Sequence, residues 1–379
     1  MKRPAGSCRA CGHVGLHRVL DLGTVPAADE FPPAELPVQQ AETMHPLAMD
    51  LCAACGLAQL ADDDTVTSEP RGVEPQALRE QARDAVARVA ASGWLTGDTV
   101  REFGSPHGGS WLELLAQCDV TPESGAGASE ATGDVGQADI VLDCFGIMHE
   151  PDQRAAFAER AAATAPGGVL LMQYHGLGTI VEQGQWNALR HGHFAYYSLP
   201  ALTRLLADAD MRVVTAWDFD LYGGTTLVAA VHDDHAYPAD PVVEHMCNLE
   251  ARLSSPAVVG TLQAAADGQA TALRTYLERQ RDAGRRVFAY GAASRAVALF
   301  ARAGLDRRLV SAVADASPTK QGRRMPGTDI AIISPDALVA AEPDEVVLTL
   351  SDLLPEVSAR LPELEGRWVT DDWIATLSG

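Results

Sequence analysis

Two apolar stretches near the middle of the chain decide its fold class: Asp139-Ile140-Val141-Leu142-Asp143-Cys144-Phe145 and Val169-Leu170-Leu171-Met172-Gln173. Each is a short, continuous apolar run, which is typical of a strand buried on both faces. Between them, residues 153–163 predict a helix that ends at Pro166-Gly167-Gly168. Strands separated by helices predict a parallel, doubly wound α/β sheet.

Further strands extend this central unit on both sides. Thr99-Val100-Arg101-Glu102-Phe103 predicts a strand that breaks at Gly104, and Leu227-Val228-Ala229-Ala230-Val231 predicts the strand that closes the unit. The stretch from Thr121 to Ser129 is low in complexity and has no periodicity, so it predicts a loop. We therefore expect a shortened Rossmann-type domain over residues 98–232.

The rest of the chain predicts a connector and a second, smaller Rossmann-like unit. An acidic, proline-containing segment begins at Asp233, and a long helix is expected over residues 258–283. Strands are then expected at residues 286–290, 309–314 and 345–350. We assign residues 233–285 to the linker and helix and residues 286–379 to a C-terminal Rossmann-like domain.

The N-terminal part carries two Cys-x-x-Cys pairs, Cys8/Cys11 and Cys52/Cys55, each followed by a glycine. Two such turns supply the four sulfur ligands of a tetrahedral zinc site, although four free cysteines remain the alternative. A closed four-sulfur shell is structural, so chemistry is expected elsewhere. We assign residues 1–65 to this module and residues 66–97 to a connector with an amphipathic helix from Pro75 towards Val89.

Composition narrows the choice of location and partners. The formal net charge of −22 repels phosphate backbones, so we expect no nucleic-acid partner, although the charge can also serve solubility alone. The chain has no apolar run long enough to span a membrane and begins Met1-Lys2-Arg3-Pro4, without an apolar signal segment. Together with the paired cysteines, these features predict a cytoplasmic protein in a reducing compartment.

Three groups of residues, one in each predicted domain, carry a resemblance to a known family. They are Val19-Leu20-Asp21-Leu22-Gly23, Gly192-His193-Phe194-Ala195-Tyr196-Tyr197-Ser198-Leu199, and Asp315-Ala316-Ser317-Pro318-Thr319-Lys320-Gln321-Gly322. Over nearly its whole length the sequence resembles the C-methyltransferases that act on nucleotide-activated deoxy keto sugars in antibiotic pathways. The resemblance implies a zinc module, a central class I methyltransferase domain and a C-terminal Rossmann-like domain.

The resemblance also implies a reaction. A base removes the proton next to a sugar ketone, and the resulting enolate attacks the methyl group of S-adenosylmethionine. His193 lies where the family carries its base, the last histidine of a Tyr-His-Glu-His run. That run reads Arg190-His191-Gly192-His193 here, so an arginine replaces the tyrosine and the orienting glutamate is absent. We expect Arg190, His191 or Tyr222 to stabilise the enolate.

The methyl-donor site departs further from the family. Gly104, Ser105, His107 and Gly108 resemble the first methyltransferase motif, in which glycines let the backbone approach the cofactor. The next strand would end in an acidic residue for the ribose hydroxyls, and roughly a strand, a helix and another strand are expected to be missing. The candidates for that acidic residue are Glu123 and Glu130. The family's tyrosine after the zinc module is also absent, since residues 69–75 contain none.

The C-terminal unit predicts a substrate site. Gly291 and Ala293 lie where a strand meets a helix, and free amide groups there can bind a diphosphate with the help of Arg295. Lys320 and Arg323 form a basic patch that can assist, although a salt-bridged surface is the alternative.

Three functions remain open from the sequence. The first is a C-methyltransferase for a nucleoside-diphosphate deoxy keto sugar. The second is an isomerase, epimerase or lyase that works on a sugar nucleotide without S-adenosylmethionine, which the shortened cofactor region favours. The third is a non-catalytic sugar-nucleotide binding protein.

Overall fold

A computed structural model describes residues 6–38, 42–63, 65, 74–106, 108–116, 121–122, 136–233, 237–370, 374 and 376. Its strands are β1 (Leu16–Pro26), β2 (Met44–Cys52), β3 (Ala58–Leu60), β4 (Thr99–Phe103), β5 (Thr121–Pro122), β6 (Ala138–Cys144), β7 (Thr164–His175), β8 (Ala195–Tyr196), β9 (Met211–Phe219), β10 (Thr225–His232), β11 (Val287–Tyr290), β12 (Val313–Ala314), β13 (Ile332–Ile333), β14 (Glu345–Leu348) and β15 (Trp368–Thr370).

Helices connect and cover these strands. They are α1 (Gln76–Ala91), α2 (Leu112–Ala116), α3 (Gln153–Ala163), α4 (Leu177–Glu182), α5 (Leu199–Ala207), α6 (Pro241–Glu250), α7 (Pro256–Val259), α8 (Thr261–Asp282), α9 (Ser294–Ala303), α10 (Pro335–Ala340) and α11 (Leu354–Arg360). Side-chain caps fix four of the starts: Asp152 accepts from the Ala155 amide and Ser198 from the Ala201 amide, and Asp240 and Ser334 cap α6 and α10 in the same way. Among the described residues, no helix is long and apolar enough to cross a membrane.

The central sheet has the strand order β5-β4-β6-β7-β10-β9. Strands β5, β4, β6 and β7 run parallel, which confirms the predicted doubly wound core. Strand β10 runs antiparallel to both of its neighbours. The reason is the short connection over residues 220–224, which cannot make the crossover that a parallel neighbour requires.

The prediction of a loop over Thr121 to Ser129 was wrong at its start. Thr121 and Pro122 form β5, which pairs in parallel with Thr99 and Val100 of β4. Two residues show no periodicity, and proline argues against a strand except at a sheet edge, where β5 lies. One of the strands expected to be missing is therefore present in a short form, while residues 123–135 lie outside the described part.

The C-terminal sheet has the order β13-β12-β11-β14-β15, with all strands parallel. This arrangement confirms the Rossmann-like prediction. The strand expected over residues 309–314 is limited to β12, because the amides of Leu309 and Val310 turn back to the Asp306 carbonyl. The chain changes direction across the sheet between β11 and β14, and ligands of such sheets bind in the crevice at that point.

The N-terminal sheet has the order β1-β2-β3-β8 and is antiparallel throughout. Its last strand, β8, comes from the middle of the chain. The apolar residues of β1 share a core with α8 and α9, and the cysteine loops share a core with the central sheet. The N-terminal module therefore packs against both other units.

A buried ion pair fixes the end of β6. The side chain of Arg160 is 2% exposed, and its Nε donates to Oδ2 of the fully buried Asp143 at 2.9 Å. The other oxygen of Asp143 accepts from the amides of Gly146 and Ile147 at 2.8 and 2.9 Å. These bonds hold the chain reversal at Phe145, which has a φ of 63°.

The ion pair makes a testable contribution to stability. We expect Asp143→Asn to lower the free energy of unfolding by about 3 kcal/mol, because it removes the buried partner of the Arg160 guanidinium and leaves only the longer contacts with the exposed carboxylates of Glu150 and Glu159. Urea denaturation measures this. Asp84→Asn, which removes the exposed Asp84–Arg88 pair, is the control and should cost less than about 0.5 kcal/mol. Equal losses in the two variants would contradict the role given to Asp143.

Candidate active site

The four predicted cysteine ligands lie together. The sulfur atoms of Cys8, Cys11, Cys52 and Cys55 are all within 4.8 Å of one another, with Cys8–Cys55 at 3.5 Å and Cys11–Cys52 at 3.6 Å. Zinc–sulfur bonds of about 2.3 Å in a tetrahedron place the sulfurs about 3.8 Å apart, so the cluster fits a zinc ion. A hydrogen bond from the Cys55 thiol lowers the pKa of Cys8, which favours the thiolate that zinc requires.

The cysteine cluster is connected to the predicted base. Cys52 ends β2 and Cys55 lies in the turn before β3. Arg9, between the first two cysteines, donates to the carbonyls of Leu60 and Ala61 at 3.0 and 2.8 Å. Its guanidinium also lies 4.6 Å from the centre of the Phe194 ring, directly after His193 in sequence. Zinc at this position would therefore brace the segment that carries His193.

Backbone bonds hold the His193 segment on both sides. Strand β8 pairs with β3, and the Leu60 amide donates to the Phe194 carbonyl at 3.2 Å. The Phe194 amide donates to the Met148 carbonyl at 2.7 Å, and Gly192 donates to Asp63 Oδ2 at 3.1 Å. The N-terminal module and the end of the central sheet thus position this loop together.

The ring of His193 is buried between two side chains. Arg190 Nε donates to His193 Nε2 at 2.8 Å, so this nitrogen presents its lone pair in the structure. The ring of His149 meets that of His193 edge to face, with centroids 4.3 Å apart. Nδ1 of His149 lies 3.1 Å from the Gly192 carbonyl oxygen. His149 was not predicted; its signal in the sequence is its place just after the strand that ends near Phe145.

A small cavity gathers most of the predicted site. It has a volume of about 160 Å³ and contains the predicted Arg190, His193, Tyr222, Ala293 and Arg295. Its other lining residues are Leu78, Phe145, Met148, His175, Ile180, Asn187, Ala188, Tyr196 and Leu350. The predicted His191 lies outside this lining. Its Nε2 is 3.1 Å from the Pro46 carbonyl oxygen, in the N-terminal module.

His175 is a cavity residue that the sequence analysis missed. It ends β7, two residues beyond the strand predicted from sequence, and its Nε2 has no hydrogen-bond partner among the described residues. Burial lowers the pKa of His175 to about 3, and the charges of Arg295 and Arg190 act in the same direction. Its imidazole is therefore neutral at physiological pH.

Two strained residues face each other in the cavity wall. Phe145 and Tyr222 have φ values of 63° and 55°, in the left-handed region that non-glycine residues rarely adopt, and their ring centroids are 6.3 Å apart. Side-chain amides hold the second turn, since Gln185 donates to the Tyr222 carbonyl at 3.1 Å and Gln183 to the Gly223 carbonyl at 2.7 Å. Such strain clusters at functional sites.

The predicted methyl-donor residues lie at the point where the central sheet changes direction, between β4 and β6. A methyl group added to Gly104 would meet nothing within 4 Å, so open space adjoins it, and Gly108 has a φ of 84°. Ser105 Oγ donates to the Phe145 carbonyl at 3.4 Å, which joins this crevice to the cavity wall. The open space at Gly104 leaves room for S-adenosylmethionine, whose contact with these residues stays a prediction, while His107, Glu123 and Glu130 lie outside the described part.

A second cavity of about 590 Å³ opens at the carboxyl ends of β11 and β14. Carboxamide side chains line much of it, together with Arg295, and the two cavities share Asn187 and Arg295. The carboxamides are those of Gln183, Gln185, Asn187 and Gln269. Ala293 precedes α9, while Gly291 has a φ of 97° and a methyl there would lie 2.8 Å from Thr349 Oγ1.

The basic patch has structural contacts of its own. Lys320 Nζ donates to the Ala292 carbonyl at 2.8 Å and lies 5.1 Å from the centre of the Phe31 ring. Arg323 donates to the Phe31 carbonyl at 2.7 Å. Neither residue is among the described lining of the two cavities. Their contact with substrate stays a prediction.

The pKa of His175 predicts a pH dependence of stability. Because the folded-state value is far below the ordinary 6.5, the unfolded chain takes up the proton first as the pH falls. The contribution of the neutral His175 to stability is therefore fully present above about pH 6.5 and is lost progressively as the pH falls below that value. We expect His175→Gln to flatten the fall in unfolding free energy between pH 6 and 5 by about 1.4 kcal/mol per pH unit. An unchanged slope, or the same flattening in the exposed His245→Gln control, would contradict the role of His175 in this pH dependence.

The cysteine cluster predicts one zinc ion per chain. Elemental analysis of the purified protein should find it, and Cys8→Ser with Cys52→Ser should lose the metal and unfold more easily, because half the ligands are gone. Cys247→Ser, outside the cluster, should keep the full zinc content. A metal-free wild type, or a double variant that retains zinc, would contradict the assignment of a zinc site to this cluster.

Comparison with known proteins identifies two parts of the chain. Residues 8–68 match the family described as "Putative zinc binding domain", and residues 220–371 match the family described as "C-methyltransferase C-terminal domain". The C-methyltransferase NovU of Streptomyces niveus is 28% identical over 391 aligned positions, which cover 94% of this chain and 92% of that protein.

Solved structures also align with part of the chain. Magnesium protoporphyrin IX methyltransferase of Synechocystis PCC 6803 is 16% identical, with a TM-score of 0.31, and covers 41% of this chain and 84% of that one. The N-methyltransferase NodS of Bradyrhizobium japonicum WM9 is 12% identical, with a TM-score of 0.30, and covers 43% and 100%. Two parts of the chain therefore match a zinc-binding domain family and a C-methyltransferase C-terminal domain family, and nearly its whole length is similar to a C-methyltransferase.

Proposed function

We propose that this protein is an S-adenosylmethionine-dependent C-methyltransferase whose acceptor is a keto sugar carried on a nucleoside diphosphate. The observation that carries the proposal is the small cavity, in which a buried histidine, an arginine and a tyrosine converge beside the crevice at Gly104. A relative named C-methyltransferase aligns over almost the whole chain and supports the reaction class.

The two cavities suit the two halves of such a substrate. The small cavity has the size of a single sugar ring and mixes apolar walls with few polar groups. The larger cavity offers carboxamides, which can both donate to and accept from the edge of a nucleobase. Arg295 lines both cavities, so its guanidinium can hold the diphosphate that joins base and sugar.

The reaction follows from the groups in the small cavity. Nε2 of His193 would accept the proton from the carbon next to the ketone once its lone pair is released from the hydrogen bond with Arg190. The Tyr222 hydroxyl and a neutral His175 can donate to the ketone oxygen as negative charge develops on it. The crevice at Gly104 would hold S-adenosylmethionine, which would supply an electrophilic methyl group to the carbon that has lost its proton and leave as S-adenosylhomocysteine.

The walls of the cavity protect the reactive carbon from solvent. Phe145 and Met148 are buried, and Leu78 of α1 closes the side near the glycine loop, where it contacts the position of Gly109. Exclusion of water strengthens the hydrogen bonds to the oxyanion and limits reprotonation by solvent.

A second function uses the same groups without methyl transfer. The short stretch of sequence between Gly104 and Asp139 favours it, because it leaves little room for the elements that would carry a ribose-binding acidic residue. In that case, removal and return of the proton by His193 would give an isomerase or epimerase, or elimination would give a lyase.

One experiment separates these functions. The protein is incubated in deuterated water with a nucleoside-diphosphate keto deoxy sugar, with and without S-adenosylmethionine, and the product is examined by NMR and mass spectrometry. We expect a methylated sugar and S-adenosylhomocysteine in equal amounts. His193→Gln should lower kcat at least about 100-fold, because the base is lost, while the exposed His245→Gln should not change it.

The other outcomes are equally informative. Deuterium exchange with no methylation, and no binding of S-adenosylmethionine at millimolar concentration, would establish the second function. Neither exchange nor methylation with any keto sugar nucleotide would contradict both.

A further inference from the structure

The small cavity is cationic in a strongly acidic protein. The chain has a formal net charge of −22, yet the cavity lining includes the guanidinium groups of Arg190 and Arg295. Among the described residues that line it, no aspartate or glutamate occurs. Both arginines lower the pKa of His175, so their charges are felt inside the cavity. This arrangement favours a ligand group that carries negative charge.

The Arg190 guanidinium is hydrogen-bonded to the nitrogen of His193 that would accept the proton. Arg190 Nε lies 2.8 Å from Nε2 of His193, and Nη2 of the same guanidinium also contacts that nitrogen. An arginine side chain has only donors, so the bond uses the lone pair of the imidazole. His193 cannot accept a proton at Nε2 while this bond is in place. A guanidinium beside the ring also opposes the positive charge that protonation creates.

An anion is a better acceptor for this guanidinium than a neutral imidazole. The bond to His193 already has a charged donor, but an anionic acceptor adds Coulomb attraction that a neutral imidazole cannot supply, and a phosphate or carboxylate can take two guanidinium nitrogens at once. An anionic group in the cavity would therefore draw Arg190 away from His193.

We propose that Arg190 is a gate on the base: it blocks Nε2 of His193 in the free protein and releases it when an anionic group of the substrate, a phosphate or a carboxylate, enters the cavity. This inference rests on the proposed function and narrows its substrate to one whose anionic group lies within reach of the reacting carbon. The proton acceptor is thus available only when substrate is present.

The other groups around His193 set the background for its titration. His149 packs against the ring from the end of the central sheet, and Asp63 accepts from the neighbouring Gly192 amide. His175, Tyr222 and Arg295 face the same cavity. Departure of the Arg190 cation from Nε2 makes protonation of His193 easier, so the ring should titrate at a higher pH once an anion is bound.

The test uses the full-length, zinc-loaded protein with nitrogen-15 labelled histidine, and the His193 signals are assigned by their loss in His193→Gln. NMR titrations are recorded with no addition, with sodium diphosphate, with inorganic phosphate and with acetate. We expect at least one anion to move the midpoint of the His193 titration up by about one pH unit, a tenfold change in proton affinity. A response to the phosphates alone assigns the anion to a diphosphate, and a response to acetate assigns it to a carboxylate.

Variants make the inference falsifiable. In Arg190→Gln, His193 should titrate at the higher pH without any anion, and added anion should not move its midpoint. In Arg190→Lys, which has a single donor group, added anion should move the His193 midpoint only weakly. The exposed Arg204→Gln should behave as wild type. Anion binding without a change at His193, no anion binding up to 50-fold excess over about 1 mM protein, or a full response in Arg190→Gln would each overturn the gate. None of these measurements needs methyl transfer, so a negative result for the gate can be distinguished from a failure of the proposed function.

Discussion

The candidate site depends on the pairing of two short strands, β3 in the N-terminal module and β8 in the middle of the chain. Strand β8 has only two residues, and it fixes the loop that precedes it because both ends of that loop are bonded. Tyr196 in β8 donates to the Ala188 carbonyl and accepts from the Arg190 amide, both at 3.2 Å. The position of His193 is therefore set by a sheet whose other end is the four-cysteine cluster. A zinc ion in that cluster would in this way help to position His193, the proposed base.

The same constraint explains where charge and strain are concentrated. The end of β6 is held by Asp143, which keeps Phe145 in a left-handed conformation at the cavity wall. The turn at Tyr222 is held by Gln183 and Gln185, which also line the larger cavity. The cavity wall is thus held at Phe145, at Tyr222 and at the loop that carries His193. The hydrogen bond from Arg190 to His193 is the contact that a ligand can replace, and this is the basis of the proposed gate.

Much of the fold could be predicted from the sequence, because continuous apolar runs and paired cysteines are strong local signals. The buried strands at 139–145 and 169–173, the helix of α3 and the zinc cluster follow from such signals. Strand β5 could not be predicted, since two residues with a proline have no periodicity, and the reversal of β10 depends on a loop length. The domain boundaries stay a prediction.

The site was predictable only in part, for a physical reason. Motif positions indicated His193, Arg190 and Tyr222, and the cavity brings them together. His149 and His175 reach the site through the ends of neighbouring strands, a relation that only the sheet order reveals. The most direct test of the whole account is a crystal structure of the protein with S-adenosylhomocysteine and a nucleoside-diphosphate keto sugar. We expect the cofactor at Gly104, the nucleobase in the larger cavity and the carbon next to the ketone within hydrogen-bonding reach of His193. A sugar bound away from the His193 cavity would contradict the proposed function.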